Sequence, residues 1–66
     1  MEATVNGTKR VLADGTTIER LLADLGLPST GIAVAVNDRV VRRSAFAEQR
    51  VSSGDAVEII QAVAGG

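Results

Sequence analysis

The sequence predicts an α+β fold, a two-layer arrangement of one main helix packed on a mixed sheet of about five strands. Three observations predict it. An Asn-Gly pair divides the opening residues into two strand-like halves, one segment has helical periodicity with marked ends, and the second half carries three β-rich runs between turn signals.

The first element is a hairpin. Met1, Ala3 and Val5 alternate with polar neighbours, Asn6-Gly7 turns the chain, and Lys9 to Ala13 runs back. On the returning strand Arg10 and Leu12 fall on one face, Lys9 and Val11 on the other. Asn6-Gly7-Thr8 also spells a glycosylation sequon, but the turn signal of Asn-Gly, in a chain expected to be cytoplasmic, accounts for it.

The helix follows. Thr16 and Glu19 stand in the T-x-x-E spacing of a capping box, in which each side chain satisfies a free amide of the first turn. Ile18, Leu21, Leu22 and Leu25 form one apolar stripe, and Gly26 with Pro28 stops the helix. Gly31 to Val36 is a nearly continuous apolar run, as expected of an interior strand covered by a helix. Asn37-Asp38 makes a tight turn and Arg39 to Arg42 returns as a short strand. Ser44 to Gln49 is expected to form one helical turn that tucks Phe46 under the sheet. After the turn Ser52-Ser53-Gly54-Asp55, the last strand runs from Ala56 to Ala62, with Val57 and Ile59 toward the helix and Glu58 and Ile60 away from it. An exposed Ile60 beside Glu58 is either an ordinary surface residue or an anchor for a partner.

Composition narrows the chemistry. The 66 residues are expected to form a single domain, 1–66, with a flexible C-terminal tail at 63–66. Without Cys there is no thiolate, redox pair or persulfide, and without His there is no ordinary side chain that titrates near neutrality. Asp14, Asp24, Asp38 and Asp55 lack metal-ligand spacing, so no metal site is expected. One Phe, no Tyr or Trp, and a net charge of −1 give no support to nucleic-acid binding. The longest apolar run is far shorter than the roughly 20 residues a membrane span needs. Such a chain is poorly equipped to be an enzyme.

The tail Val63-Ala64-Gly65-Gly66 then stands out. At ordinary glycine usage a terminal Gly-Gly arises by chance in well under about one chain in a hundred. Residues without Cβ atoms thread a narrow tunnel and take backbone angles closed to others. An α-carboxyl group, with a pKa of roughly 3.3–3.7, is anionic at neutral pH and a poor electrophile. Making it reactive takes a leaving group such as AMP. The sequence has no G-x-x-x-x-G-K loop, so the ATP site is expected on a partner.

Val34-Ala35-Val36-Asn37, Val40-Val41-Arg42-Arg43-Ser44, Gly54-Asp55-Ala56-Val57-Glu58-Ile59-Ile60 and the terminal Val63-Ala64-Gly65-Gly66 together resemble the ThiS family of thiamine-biosynthesis sulfur carriers. The resemblance covers the whole chain and implies the β-grasp (ubiquitin-like) fold. It implies that Gly66 is the site of adenylation and becomes a thiocarboxylate, and that Gly65 and Ala64 pass through the partner's channel. Ile60, Glu58 and Val63 would contact partners. The implied partners are an E1-like adenylating enzyme of the ThiF type using ATP and Mg, a thiazole synthase of the ThiG type, and a cysteine desulfurase as the sulfur source. No cofactor would be bound by the chain itself. Two positions depart from the family pattern: Arg42, where Pro is common, and Phe46, where Trp is common. Related β-grasp carriers for molybdopterin synthesis, and ubiquitin-like modifiers joined through Gly66 to a lysine, share the Gly-Gly ending and remain alternatives at this point.

Overall fold

A computed structural model describes residues 1–61. Its elements are β1 (Glu2–Val5), β2 (Thr8–Val11), α1 (Ile18–Asp24), β3 (Ile32–Val36), β4 (Arg39–Val41), a 3₁₀ turn (Arg43–Ala45) and β5 (Ala56–Gln61). The five strands form one mixed sheet in the order β2-β1-β5-β3-β4. The first and last strands are parallel neighbours, and every other pair is antiparallel. This is the one-helix, five-strand β-grasp arrangement.

Both hairpins have two-residue turns, and both turns use left-handed backbone. Asn6 and Gly7 have φ of 50° and 82°, and Asn37 and Asp38 have φ of 51° and 67°. Positive φ at both central positions matches the twist of the flanking strands, which is why Asn, Asp and Gly are found there. The strands are shorter than the sequence suggests. β2 ends at Val11 and β3 begins at Ile32, while Arg42 leaves β4 to start the 3₁₀ turn.

The start of α1 differs from the capping-box expectation. The N-cap is Thr17, whose hydroxyl oxygen accepts from the Arg20 amide at 3.1 Å. Thr16 lies one residue outside, is buried, and donates its hydroxyl to the Ala13 carbonyl. The first two helical amides are satisfied from a distant segment: Ile18 N–H donates to Gln49 O and Glu19 N–H to Phe46 O. The amide that Glu19 would have capped, that of Thr16, donates instead to Ala13 O, so Glu19 has no capping role to play. The other end is as expected. Gly26 at φ 73° follows the C-cap Leu25, and the Gly26 and Leu27 amides donate back to Ala23 and Leu22 in a Schellman pattern.

The core lies between α1 and one face of the sheet. Ile18, Leu21 and Leu22 meet Ala3, Val5, Val34, Val36, Val57 and Ile59, and Phe46 and Val51 close one end. The helical turn expected over Ser44 to Gln49 is instead the 3₁₀ turn Arg43–Ala45, and Phe46, at its C-cap, is buried as its apolar ring requires. β3 is an interior strand covered by the helix on one face, as its apolar run leads one to expect. Val34 and Val36 are buried, whereas Ala33 and Ala35 sit on the open face, where their small side chains add little exposed apolar area.

Candidate functional site

The candidate site is the exit of β5, because that strand delivers the chain to its last residues. β5 is central, with β1 on one side and β3 on the other. Val57 and Ile59 are buried toward α1, while Glu58 and Ile60 point to the open face, as the alternation predicts. Ile60 is 64% exposed. It pairs across the ladder with Ala33, and Gln61 pairs with Ile32. Gly31, Ile32, Ala33 and Ile60 line a shallow, mostly apolar depression beside the strand's exit. Val63, Ala64, Gly65 and Gly66, like the expected strand end at Ala62, lie outside the described residues.

Two asparagines hold β5 from opposite sides. Where β1 turns away after Val5, the Asn6 side chain continues the ladder: its Oδ1 accepts from the Ile59 amide at 2.8 Å, and its Nδ2 donates to the Ile59 carbonyl at 3.2 Å. The Asn6 main-chain amide also donates to Val57 O. On the other side, Asn37 Oδ1 accepts from the Ala56 amide at 2.9 Å, and its own amide donates to Ala56 O. Asn37 Nδ2 donates to Asp55 Oδ1, and Asp55 Oδ2 accepts from the Ser52 amide, which closes the turn leading into β5.

Sequence reasoning assigned Asn6 and Asn37 to turns and missed this second role. The available signal was that both hairpins place Asn first in the turn, where its amide carries a donor and an acceptor. Glycine would have met the backbone requirement alone.

Among the described residues no group of three or more His, Cys, Asp or Glu is placed to hold a metal ion. No helix among them is long and apolar enough to cross a membrane.

The model of the ThiS family matches residues 1–66. The chain is 36% identical over 66 residues to a thiazole synthase of Paramagnetospirillum magneticum, covering all of this chain but only 20% of that protein. It is 33% identical to the sulfur carrier protein ThiS of Escherichia coli K12, over the full length of both. The crystal structure of the thiamine biosynthesis protein ThiS from Geobacter metallireducens superposes with a TM-score of 0.84 at 33% identity, with both chains fully covered. A solution structure of a thiamine biosynthesis protein from the same organism gives 0.81, covering all of this chain and 88% of that one.

Proposed function

The chain belongs to the ThiS family of sulfur carrier proteins of thiamine biosynthesis, and on that premise we propose that the Gly66 carboxylate is the group that carries the sulfur. The molybdopterin and protein-modifier alternatives give way to this family. Members are carriers rather than enzymes, so the chemistry is done on the chain and not by it.

In the proposed cycle an E1-like adenylating partner binds ATP and Mg. A Gly66 carboxylate oxygen attacks the α-phosphorus, pyrophosphate leaves, and an acyl-adenylate forms. The outer sulfur of a persulfide supplied by a cysteine desulfurase attacks the acyl carbon and expels AMP, and a thiol then cleaves the resulting acyl disulfide, being itself oxidised to a disulfide. The product is a terminal thiocarboxylate. A thiazole synthase then takes the sulfur for the thiazole ring. The Paramagnetospirillum thiazole synthase, one-fifth of which this chain matches, supports association with an enzyme of the ThiG type.

The observation that carries this reading is the full-length match to the Escherichia coli carrier, joined to a clamped central strand whose last described residue, Gln61, stands five residues before Gly66. Five residues reach at most about 17 Å. A partner must therefore grip the domain close to its active site. Ile60 and Glu58, exposed next to the exit, are the described residues suited to that grip, and Val63 is assigned to the same contact. Gly65 and Ala64 serve passage, since neither has a side chain beyond Cβ.

The direct test is intact-mass analysis after incubation with the adenylating enzyme, ATP and the sulfur donor. The expected gain equals one oxygen replaced by sulfur, located at Gly66 by fragmentation. Sulfur found elsewhere, or no gain at all, would defeat the reading. For the grip, Ile60→Asp is expected to weaken binding to the adenylating enzyme about tenfold, measured by titration calorimetry. Stability should change by no more than about 0.5 kcal/mol, because the side chain is mostly in solvent.

A further inference from the structure

We propose that the outer edge of β4, with the arginine-lined groove beside it, is a docking site for an acidic segment of a partner protein, added to the sheet as a further strand. The site is separate from the β5 exit and independent of the tail chemistry.

The groove, about 610 Å³, lies between β4 and the segment that follows it, and Arg39, Arg42 and Arg50 line it. Of the chain's seven Lys and Arg residues, four (Arg39, Arg42, Arg43 and Arg50) fall in this stretch. Among the described residues the ion pairs are Met1 with Asp14 and Arg20 with Asp24, so none of these four arginines has a carboxylate partner. Asp55, hydrogen-bonded by Asn37 and the Ser52 amide, also lines the groove, so three arginines there face one carboxylate. A chain with net charge −1 thus presents a net positive groove along one sheet edge.

That edge is open. β4 is the last strand of the sheet. In a two-residue hairpin the residues flanking the turn, here Val36 and Arg39, exchange hydrogen bonds, and the next pair does not. The Val40 amide and carbonyl therefore face outward, and its side chain is 80% exposed. Outward main-chain groups pair with an added strand, and the flanking arginines select its charge.

A second copy of the chain is a poor occupant. The other sheet edge, β2, carries Lys9 and Arg10, so either edge of a second copy would set like charges against Arg39 and Arg42. An acidic strand meets no such repulsion. Docking here also leaves the tail free, since β3 and β4 stand between β5 and the added strand, about 14 Å across the sheet.

The alternative is that the arginines merely keep the edge unpaired in solution. The test titrates the ¹⁵N-labelled full-length chain with a capped peptide of alternating Glu and Val, a Lys-Val counterpart, and inorganic phosphate. The expected result is amide shifts confined to residues 39–52, slowed exchange of the Val40 amide, and no response to the Lys-Val peptide. Arg39→Glu with Arg42→Glu should reduce affinity at least about tenfold. Val40→Pro keeps the arginines and removes only the outward amide, which edge strands tolerate; it should also abolish binding. No shifts at millimolar Glu-Val peptide would overturn the proposal. So would equal binding of the Lys-Val peptide, unchanged affinity in Val40→Pro, or phosphate reproducing the full response.

Discussion

Deleting Gly66 is expected to abolish sulfur donation to thiazole while leaving the fold intact. The deletion moves the terminal carboxylate back by about 3.5 Å, onto Gly65. A misplacement of about 1 Å at a reacting centre already costs on the order of a hundredfold in rate. A shift several times larger, in a group attacking phosphorus and then accepting sulfur, should bring both steps below detection. Among the described residues no buried core residue lies beyond Ile59, so the melting temperature should not move. The measurement is growth without thiamine of a strain whose own carrier gene has been removed, paired with intact-mass analysis of the recovered protein. Gly66→Ala keeps the carboxylate in place and adds a methyl group beside it, so it should retain part of the activity. Growth at the wild-type rate after deletion would show that the reactive group is not Gly66.

Local chemistry made much of this fold readable in advance. Asn6-Gly7 and Asn37-Asp38 announce hairpins because few other residues accept positive φ at both positions. Leu21 and Leu22 announce a helix face, and Glu58 assigns the faces of β5. What the sequence hid depends on contacts between distant residues. The last strand inserts between β1 and β3, and no local pattern states which strands will be neighbours. The helix start moved from Thr16 to Thr17 because carbonyls of Phe46 and Gln49 reach its first amides. Arg42 and Arg43 read as a pair at a strand end, and only the folded chain sets Arg39 and Arg50 beside Arg42.

Among the described residues, the substitution with the largest expected cost to the β5 exit is Asn6→Ala. Two effects add. The substitution removes both side-chain bonds to Ile59, worth about 1 kcal/mol each where water can partly replace them. It also places a residue with a Cβ and no polar group at φ 50°, which costs roughly another 1 kcal/mol. The expected loss is about 3 kcal/mol, comparable to the roughly 3–5 kcal/mol that the core of a domain this small supplies. At about 4–8 °C per kcal/mol, the melting temperature should fall by about 12–24 °C, measured by circular dichroism. Asn6→Gly separates the terms, because glycine accepts the backbone angle and loses only the bonds; it should fall by about two-thirds as much. If Asn6→Gly melts with the wild type, the side chain holds nothing. The functional consequence follows from position. Ile59 is two residues before Gln61, the last described residue of β5, so loosening it loosens the point from which the tail departs. At temperatures where Asn6→Gly remains folded, thiocarboxylate formation should slow in the presence of the adenylating enzyme. The same substitution should leave an acidic peptide's affinity for the β4 edge unchanged, because Asn37, not Asn6, joins β5 to that side of the sheet.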